Sequence, residues 1–415
     1  FLVSFYTFLM GRVTLGVFMD TSMIHAILGS GDFSRQADIH IYVSLFVALL
    51  FFYYGYISVF DETRRGRWCM IKETDYETRQ VRKLSRRLMF LTIPFNVLIT
   101  LETVWFVITH GYFEYYISFE SRLPYIITLI AYSYDFLFIF FLATLPSKKE
   151  AKLPIIIYVL IGVFSLGSGQ RGGFVLSILL VITYFFLRND ISKDGEKWIT
   201  KKHIFILMSI LPFFMGFLFA VSYVRTDRDV DTSFNIILSF LYQQGVSVEV
   251  IGYGYDYDKV FPVGRMYLLG DIVDYFRHNF IAKLLFDAKS VEPQSVDHAL
   301  NDYAYDAALT YFVKSHDYLN GVGSSYIAEA WHDLGYFGVG MVSYIYGVVL
   351  AKVPKWCKTS IWKASAALLM YVNIIYAPRS RADKFIYVFI SFVVLAIYLY
   401  LYFKSRSPKK HISNL

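Results

Sequence analysis

Residues 154–187 predict the fold class, and they read PIIIYVLIGVFSLGSGQRGGFVLSILLVITYFFL. Two apolar runs, 154–168 and 173–187, flank a glycine-rich turn that carries a single arginine, Arg171. Apolar runs of this length cross a bilayer, or nearly so, and they exceed what a soluble core usually contains. The stretch therefore predicts a helical hairpin in a membrane, with a charged residue at its turn.

The composition of the whole chain agrees with this prediction. Of 415 residues, 56% are hydrophobic and 19% aromatic, and the mean hydropathy is +0.46, which is too apolar for a soluble domain of this length. We predict an all-α polytopic membrane protein with about ten or more transmembrane helices, forming one transmembrane domain over 1–415. The predicted segments are 1–19, 39–60, 88–108, 123–145, 154–168, 173–187, 204–223, 333–351, 364–377 and 385–403. Because the first segment is short and begins on Phe1, we expect earlier residues to precede it.

The basic residues predict the orientation in the membrane. More than half of the 40 Lys and Arg residues lie in 61–87, 146–153, 188–203, 352–363 and 404–415. These five segments alternate with the others in the parity that places them together on the cytoplasmic side. Topology thus accounts for the net charge of +7, and a nucleic-acid partner is not expected. Four arginines lie at segment ends on the opposite side: Arg171, Arg225, Arg379 and Arg381.

A long periplasmic loop is predicted at 224–332, inserted between two membrane helices, with helical stretches at 235–251 and 267–287. Connections of this length usually have a function. Tyrosine suits either the headgroup level of a membrane or the stacking of sugar rings. The clustered tyrosines are Tyr253, Tyr255, Tyr257, Tyr303, Tyr305, Tyr311, Tyr318 and Tyr326.

Arg171 is the first candidate for binding an anion. The two flanking runs are about fifteen residues long, so neither fully crosses a hydrocarbon core of about 30 Å. The turn 167–173 is therefore expected to lie below the outer surface, where a guanidinium could hold a phosphate bidentately. The alternative is that Arg171 reaches up to lipid headgroups.

Arg379 and Arg381 repeat this pattern at the end of segment 364–377, where Pro378 stops the helix. An extended backbone directs the two side chains apart, and we expect Arg379 to face inward and Arg381 to face headgroups. Arg225 either binds the same anion or pairs locally with Asp227 or Asp229. Arg12 is a weaker candidate.

Glu329 is the candidate acid or base beside these cations. It follows Gly321-Val322-Gly323-Ser324-Ser325, which is typical of a helix start that accepts an anion. Helical spacing predicts that Glu329, His332 and Asp333 share a face. A metal is not expected, because the second copy of a Glu-x-x-His motif is absent, as are the glycine and the distal glutamate of a calcium loop after Asp227, Asp229 and Asp231. His298 and His316 are further candidate bases.

Taken together, these motifs resemble a known family. Residues 321–329, followed by 334–338 and Gly347, are similar to the C-terminal signature of the Wzy-type oligosaccharide repeat-unit polymerases, the O-antigen polymerases. The turn 167–173, Tyr242-Gln243-Gln244-Gly245-Val246-Ser247 and Ala377-Pro378-Arg379-Ser380 are similar to further patterns of that family, in the same order, so that the resemblance spans about 160–385.

The resemblance implies a metal-independent glycosyltransferase of the bacterial inner membrane, without cofactors, that acts at the periplasmic face in lipopolysaccharide biosynthesis. Such an enzyme transfers a growing glycan from undecaprenyl diphosphate to a hydroxyl of the next lipid-linked unit, with a chain-length regulator (polysaccharide co-polymerase) and membrane lipid as partners. Arg171 and Arg379 would stabilise the diphosphate leaving group, and Glu329 would act as the base or position the acceptor. The predicted substrate contacts are Arg225, Arg381, Gln244, Ser324, Ser325, Tyr326, His332 and Arg265.

Two other functions fit part of the pattern. A ligase that transfers O-antigen to lipid A core would share the periplasmic active face, although the histidine motif typical of such ligases is not clear in this sequence. A transporter or flippase of lipid-linked oligosaccharide would also need arginines for the diphosphate, but it would be expected to show internal repeats and helices broken near the midplane.

Overall fold

The computed structural model describes residues 1–19, 33–65, 75–169, 172–191, 197–226, 236–278, 295–314 and 321–406. Over these residues the protein is helical and has no strand, so the predicted all-α class is confirmed. The chain forms two compact units. The first contains Phe1–Arg65, Lys202–Lys352 and Met370–Tyr387, and the second contains Gly66–Lys201, Val353–Leu369 and Val388–Leu415.

The longer α-helices follow the predicted apolar segments. The N-terminal segment is helical from Leu2 to Met19, with a π-helical turn at Tyr6–Met10 between two α-helical parts. The other long helices are Arg35–Arg65, Tyr76–His110, Tyr125–Ala143, Lys148–Ser165, Gly172–Ile191, Lys201–Thr226, Tyr326–Thr359, Ile361–Tyr376 and Phe392–Arg406. Shorter α-helices are Tyr112–Ser118, Ile236–Gln244, Ser247–Asp256, Gly270–His278, Val296–Asn301, Tyr305–Val313 and Lys384–Tyr387. Single 3-10 turns lie at Leu166–Ser168, Asp258–Val260 and Ala377–Arg379.

Six of the described helices are long and apolar enough to cross a membrane, against the ten or more expected from sequence. The six are Arg35–Val59, Tyr76–His110, Tyr125–Ala143, Lys148–Ser168, Gly172–Asn189 and Tyr326–Thr359. The predicted segment 385–403 is interrupted, because its helix ends at Tyr387 and the next begins at Phe392. Segment 364–377 forms a helix of 16 residues, which rises about 24 Å.

The helical hairpin that contains residues 154–187 is longer than its apolar runs predicted. Its first helix begins at Lys148, because Ser147 and Glu150 form a capping box in which each side chain accepts from the backbone amide of the other residue. With the 3-10 turn that follows, this arm reaches Ser168, and the second arm runs from Gly172 to Ile191. Both arms are long enough to cross. The expectation that both are too short was therefore wrong, and with it the argument that the turn is recessed.

The inserted segment 224–332 lies in the first unit, where its helices pack around an aromatic core. This core is formed by Val250, Phe261, Tyr267, Tyr305, Ala308, Leu309 and Ala328, all buried. Tyr305 stacks on Phe261 at a centroid distance of 5.1 Å and is completely buried. Of the predicted tyrosine cluster, Tyr305 and Tyr326 therefore stabilise the fold and do not form a surface for sugars or lipid, while Tyr318 lies outside the described residues.

Two glycines bring two helices of the first unit into backbone contact. A Cβ atom added to Gly55, in helix Arg35–Arg65, would lie 2.1 Å from the carbonyl oxygen of Tyr344, in helix Tyr326–Thr359. In the opposite direction, a Cβ on Gly347 would lie 2.2 Å from the carbonyl oxygen of Phe52. Small residues at such a crossing allow the close packing on which helix association in a membrane depends.

We expect Gly55→Ala to lower the stability of the protein by about 1–3 kcal/mol, because the new methyl group must push the backbone of Tyr344 away. Thermal unfolding of the detergent-solubilised protein measures the effect. Gly173→Ala is the matched control, since a Cβ there meets no atom within 4 Å. Equal melting temperatures for the two variants would contradict the close crossing.

Candidate active site

A cavity of about 330 Å³ in the first unit joins several of the sequence motifs. Its polar lining comes from the helix that follows Val246, from the end of helix Tyr305–Val313, from the glycine-rich segment before Tyr326 and from Arg379. The lining residues are Val246, Ser247, Glu249, Tyr253, Val313, Lys314, Gly321, Val322, Gly323, Ser324 and Arg379. Motifs that are far apart in sequence thus meet at one cavity.

Arg379 reaches this cavity from the end of helix Ile361–Tyr376, where Pro378 lies in a 3-10 turn, Ala377–Arg379. Its Nη1 atom donates to the carbonyl oxygen of Gln244 at 3.3 Å and to the side-chain oxygen of Gln244 at 3.4 Å. The guanidinium carbon lies 5.9 Å from the ring centroid of Phe8. Within the described residues no carboxylate pairs with Arg379, so its charge is available to an anion.

Three charged residues line the cavity, namely Arg379, Lys314 and Glu249. Glu249 forms an ion pair with Arg12, whose guanidinium carbon also lies 4.4 Å from the ring centroid of Tyr242. Because Arg12 balances Glu249 and no carboxylate in the described part of the chain pairs with Arg379, the cavity favours an anionic ligand at Arg379. The role found for Arg12 is to neutralise this carboxylate.

Glu329 lies immediately behind the cavity wall and is completely buried. Its Oε1 atom accepts from the hydroxyl of Ser324 at 2.5 Å, and Ser324 lines the cavity. Its Oε2 atom accepts from the backbone amide of Ala382 at 2.8 Å. Glu329 is therefore one hydrogen bond away from the cavity, and no cation pairs with it among the residues described.

The turn 380–383, which follows Arg379, is held by buried contacts. The hydroxyl of Tyr346 donates to the carbonyl oxygen of Ala382 at 2.7 Å, and Asp383 Oδ2 accepts from the amide of Ile272 at 3.1 Å. Burial raises the pKa of Asp383 to about 6. Asp383 was not predicted from the sequence, although it lies close to the predicted Arg379 and Arg381.

Arg381 and Arg379 have different partners, and between them the backbone changes from the 3-10 turn to an extended conformation at Ser380. Its guanidinium forms ion pairs with Asp271 and with Asp306, the latter at 2.7 Å. The expectation that Arg381 faces lipid headgroups is not supported by this geometry, because two carboxylates already balance its charge. Arg381 ties the turn to the inserted helices.

Glu329, His332 and Asp333 have three separate sets of partners. His332 Nδ1 shares a hydrogen bond of 2.6 Å with Asp258 Oδ1, and the imidazole packs 4.8 Å from the ring of Phe261. Asp333 accepts from the amides of Tyr267 and Leu268 at 3.0 and 2.7 Å. His332 and Asp333 thus anchor the inserted segment, whereas Glu329 is hydrogen-bonded to Ser324, which lines the cavity.

Three further predicted contacts serve the local structure. Tyr326 is completely buried and its hydroxyl lies 3.1 Å from Ser343 Oγ, which removes it from direct contact with a ligand. Ser325 is buried, its hydroxyl has no partner in the described part of the chain, and its carbonyl oxygen accepts from the amide of Glu329. Arg265 donates to the carbonyl oxygen of Asp302 at 3.0 Å.

Several candidates cannot be placed. Arg171 lies outside the described residues, as do His316, Asp227, Asp229 and Asp231. The backbone of Arg225 belongs to helix Lys201–Thr226. The site geometry therefore rests on Arg379, Gln244, Ser324 and Glu329.

One cluster away from the cavity has the composition of a metal site. Asp274, His278 and Asp302 hold one potential ligand atom each within 4.8 Å of the others. Arg277 lies 3.3 Å from a carboxylate oxygen of both acids, and His298 Nδ1 lies 2.8 Å from Asp302. The guanidinium of Arg277 therefore contacts both acids, which favours an internal network of ion pairs. His298 is thereby accounted for without a catalytic role.

Comparison with known proteins extends the resemblance seen in the sequence. The model of the family described as O-antigen polysaccharide polymerase Wzy matches residues 1–411, well beyond the 160–385 on which the resemblance was based. No curated protein and no solved structure matches the chain.

Proposed function

The chain belongs to the O-antigen polysaccharide polymerase Wzy family, and from this we propose that it joins oligosaccharide repeat units carried on undecaprenyl diphosphate at the periplasmic face of the inner membrane. The family implies a glycosyltransferase-type polymerase in a membrane. The observation that supports the specific chemistry is the cavity that Arg379 and Ser324 both line, with the buried Glu329 hydrogen-bonded to Ser324.

In this proposal the diphosphate of the donor binds at Arg379. The cavity volume of about 330 Å³ falls in the range of small-molecule sites. The two hydrogen bonds from Arg379 to Gln244 are long, 3.3 and 3.4 Å, so a phosphate oxygen can replace them at little cost. The adjoining start of helix Tyr326–Thr359 adds a positive dipole end. These features stabilise the charge that develops as the diphosphate leaves.

The acceptor hydroxyl attacks the anomeric carbon of the donor sugar. A new C–O bond forms there while the bond from this carbon to the diphosphate oxygen breaks, and undecaprenyl diphosphate leaves with the electron pair. The proton of the acceptor passes to Ser324 Oγ as that hydroxyl gives its own proton to Glu329 along the 2.5 Å hydrogen bond. Glu329 is the base in this scheme, and Ser324 is the relay.

Arg171 and Arg225 enter the proposal from sequence alone, as further contacts with the diphosphate. Gln244 is a positioning residue, since it orients Arg379 and does not need to touch the substrate. A chain-length regulator remains the expected protein partner.

The test is polymerisation by purified protein in liposomes with lipid-linked repeat units as the sole substrate. We expect a ladder of lipid-linked polymers and release of undecaprenyl diphosphate in equal amount to the bonds formed. Transfer of glycan only when lipid A core is added would instead identify a ligase. Movement of the lipid-linked unit across the bilayer without bond formation would identify a transporter.

A further inference from the structure

A second charged cleft, in the other unit of the protein, has no part in the proposed reaction. It has a volume of about 840 Å³ and is lined by Arg79, Arg82, Lys83, Arg86, Arg87, Phe90 and Glu150. Five of these seven side chains are cationic and one is anionic. We propose that this cleft binds the clustered phosphate groups of an anionic phospholipid headgroup.

The cations lie on one face of one helix. Arg79, Lys83, Arg86 and Arg87 fall at positions i, i+4, i+7 and i+8 of helix Tyr76–His110, so their side chains converge. None of the four side chains forms an ion pair or a hydrogen bond with the described part of the chain. Like charges that are held together without counter-ions repel one another, and an anionic ligand removes this repulsion.

One wall of the cleft is rigid. Arg82 donates to Thr144 Oγ1 at 3.2 Å, to the carbonyl oxygen of Thr144 at 2.8 Å and to Glu150 Oε2 at 3.1 Å. Glu150 is also held by the capping box with Ser147. The single acid of the cleft is thus neutralised by Arg82, and the four other cations carry the net charge.

The cleft lies where a headgroup would be. The four cations occupy the turns before the apolar part of a helix that is long enough to span a membrane, so they are expected at the level of lipid phosphates. Phe90 follows on the same face, 5.8 Å from the guanidinium carbon of Arg86, and offers an apolar surface to the first part of an acyl chain. Basic pockets at the cytoplasmic ends of membrane helices are suited to lipids with several phosphates.

The orientation of the protein in the membrane does not by itself require that these cations line a cleft. The positive-inside rule is satisfied by basic residues anywhere on the cytoplasmic side, as Lys149, Lys152, Lys201 and Lys202 illustrate with exposed side chains. Those four lysines do not line the cleft. A concave surface with four cations that have no counter-ion among the described residues is a feature beyond topology.

The test measures binding of cardiolipin, which has two phosphates, to the delipidated full-length protein by native mass spectrometry and by thermal stabilisation. We expect cardiolipin to bind and stabilise the protein, with weaker binding at high salt and no comparable effect of phosphatidylcholine. Replacing Arg79, Lys83, Arg86 and Arg87 by Gln should weaken cardiolipin binding by about tenfold or more.

The matched control replaces Lys149, Lys152, Lys201 and Lys202 by Gln, which removes the same charge from the same predicted side. This variant should bind cardiolipin as the unmodified protein does. Equal losses in the two variants would overturn the proposal, because they would indicate a general surface-charge effect. Displacement of cardiolipin by excess inorganic pyrophosphate would overturn the assignment to lipid and identify a soluble phosphate ligand. Both readouts are independent of polymerase activity.

Discussion

Arg379→Ala should reduce the rate of polymer formation by about 10²- to 10³-fold, the effect of removing one fixed donor from a developing negative charge. The guanidinium lines the cavity and pairs with no carboxylate in the described residues, so its main interaction is left for a ligand. Its two hydrogen bonds to Gln244 are long, and their loss should change stability little. Ladder formation and thermal unfolding of the same preparation measure the two effects.

Arg381→Gln is the matched control, two residues away in the same turn. Because Arg381 balances Asp271 and Asp306, its loss leaves two acids without their counter-ion and should lower the melting temperature. The rate of the protein that remains folded should stay within a few-fold of the unmodified protein. A normal ladder from Arg379→Ala, or a defect of equal size in both variants, would remove Arg379 from the diphosphate site.

The contrast between these two arginines shows how far the sequence predicts the site. The sequence predicted that Arg379 and Arg381 diverge if the chain is extended, whereas Arg379 lies in a 3-10 turn and the extended residue is Ser380. Their partners were not predictable, because Gln244, Asp271 and Asp306 approach from helices that are far away in sequence. Long-range packing therefore decides which arginine is neutralised, and local patterns do not contain that information.

The hairpin at 154–187 shows a different limit. Its helical character follows from the apolar runs, but its length does not, because the first helix starts in the charged stretch at Lys148. The signal was present as the capping box Ser147-Lys148-Lys149-Glu150. A count of apolar residues alone does not include this capping box and therefore makes the first helix too short. The prediction of a recessed Arg171 depended on that short helix.

Around Glu329, helical spacing predicted a common face with His332 and Asp333, but that rule does not choose partners. Ser324, in the glycine-rich segment before Tyr326, donates a hydrogen bond to Glu329, while His332 and Asp333 contact the inserted segment. The helix also breaks directly afterwards, at Gly335 with φ 61°, a conformation suited to glycine. Of the three side chains, Glu329 is the one that the packing brings to the cavity.

Glu329→Gln should lower the polymerisation rate by about 10²-fold or more while the melting temperature changes little. The glutamine carbonyl can still accept from Ala382 and its amide can donate to Ser324 Oγ, so both hydrogen bonds remain. What is lost is the capacity to take a proton, which general-base catalysis requires. The rate is measured from the ladder at saturating lipid-linked substrate.

Asp333→Asn provides the opposite pattern one helical turn later. Asp333 accepts two backbone amides with its two oxygens, and asparagine can accept with only one, leaving a partly buried donor unpaired. This variant should therefore lose thermal stability but retain its rate per folded molecule. If Glu329→Gln also kept its rate, Glu329 would be a structural anchor of the turn 380–383, and the base would have to be another group. If it lost stability as Asp333→Asn does, the carboxylate would be needed for packing, and the relay through Ser324 would have no support.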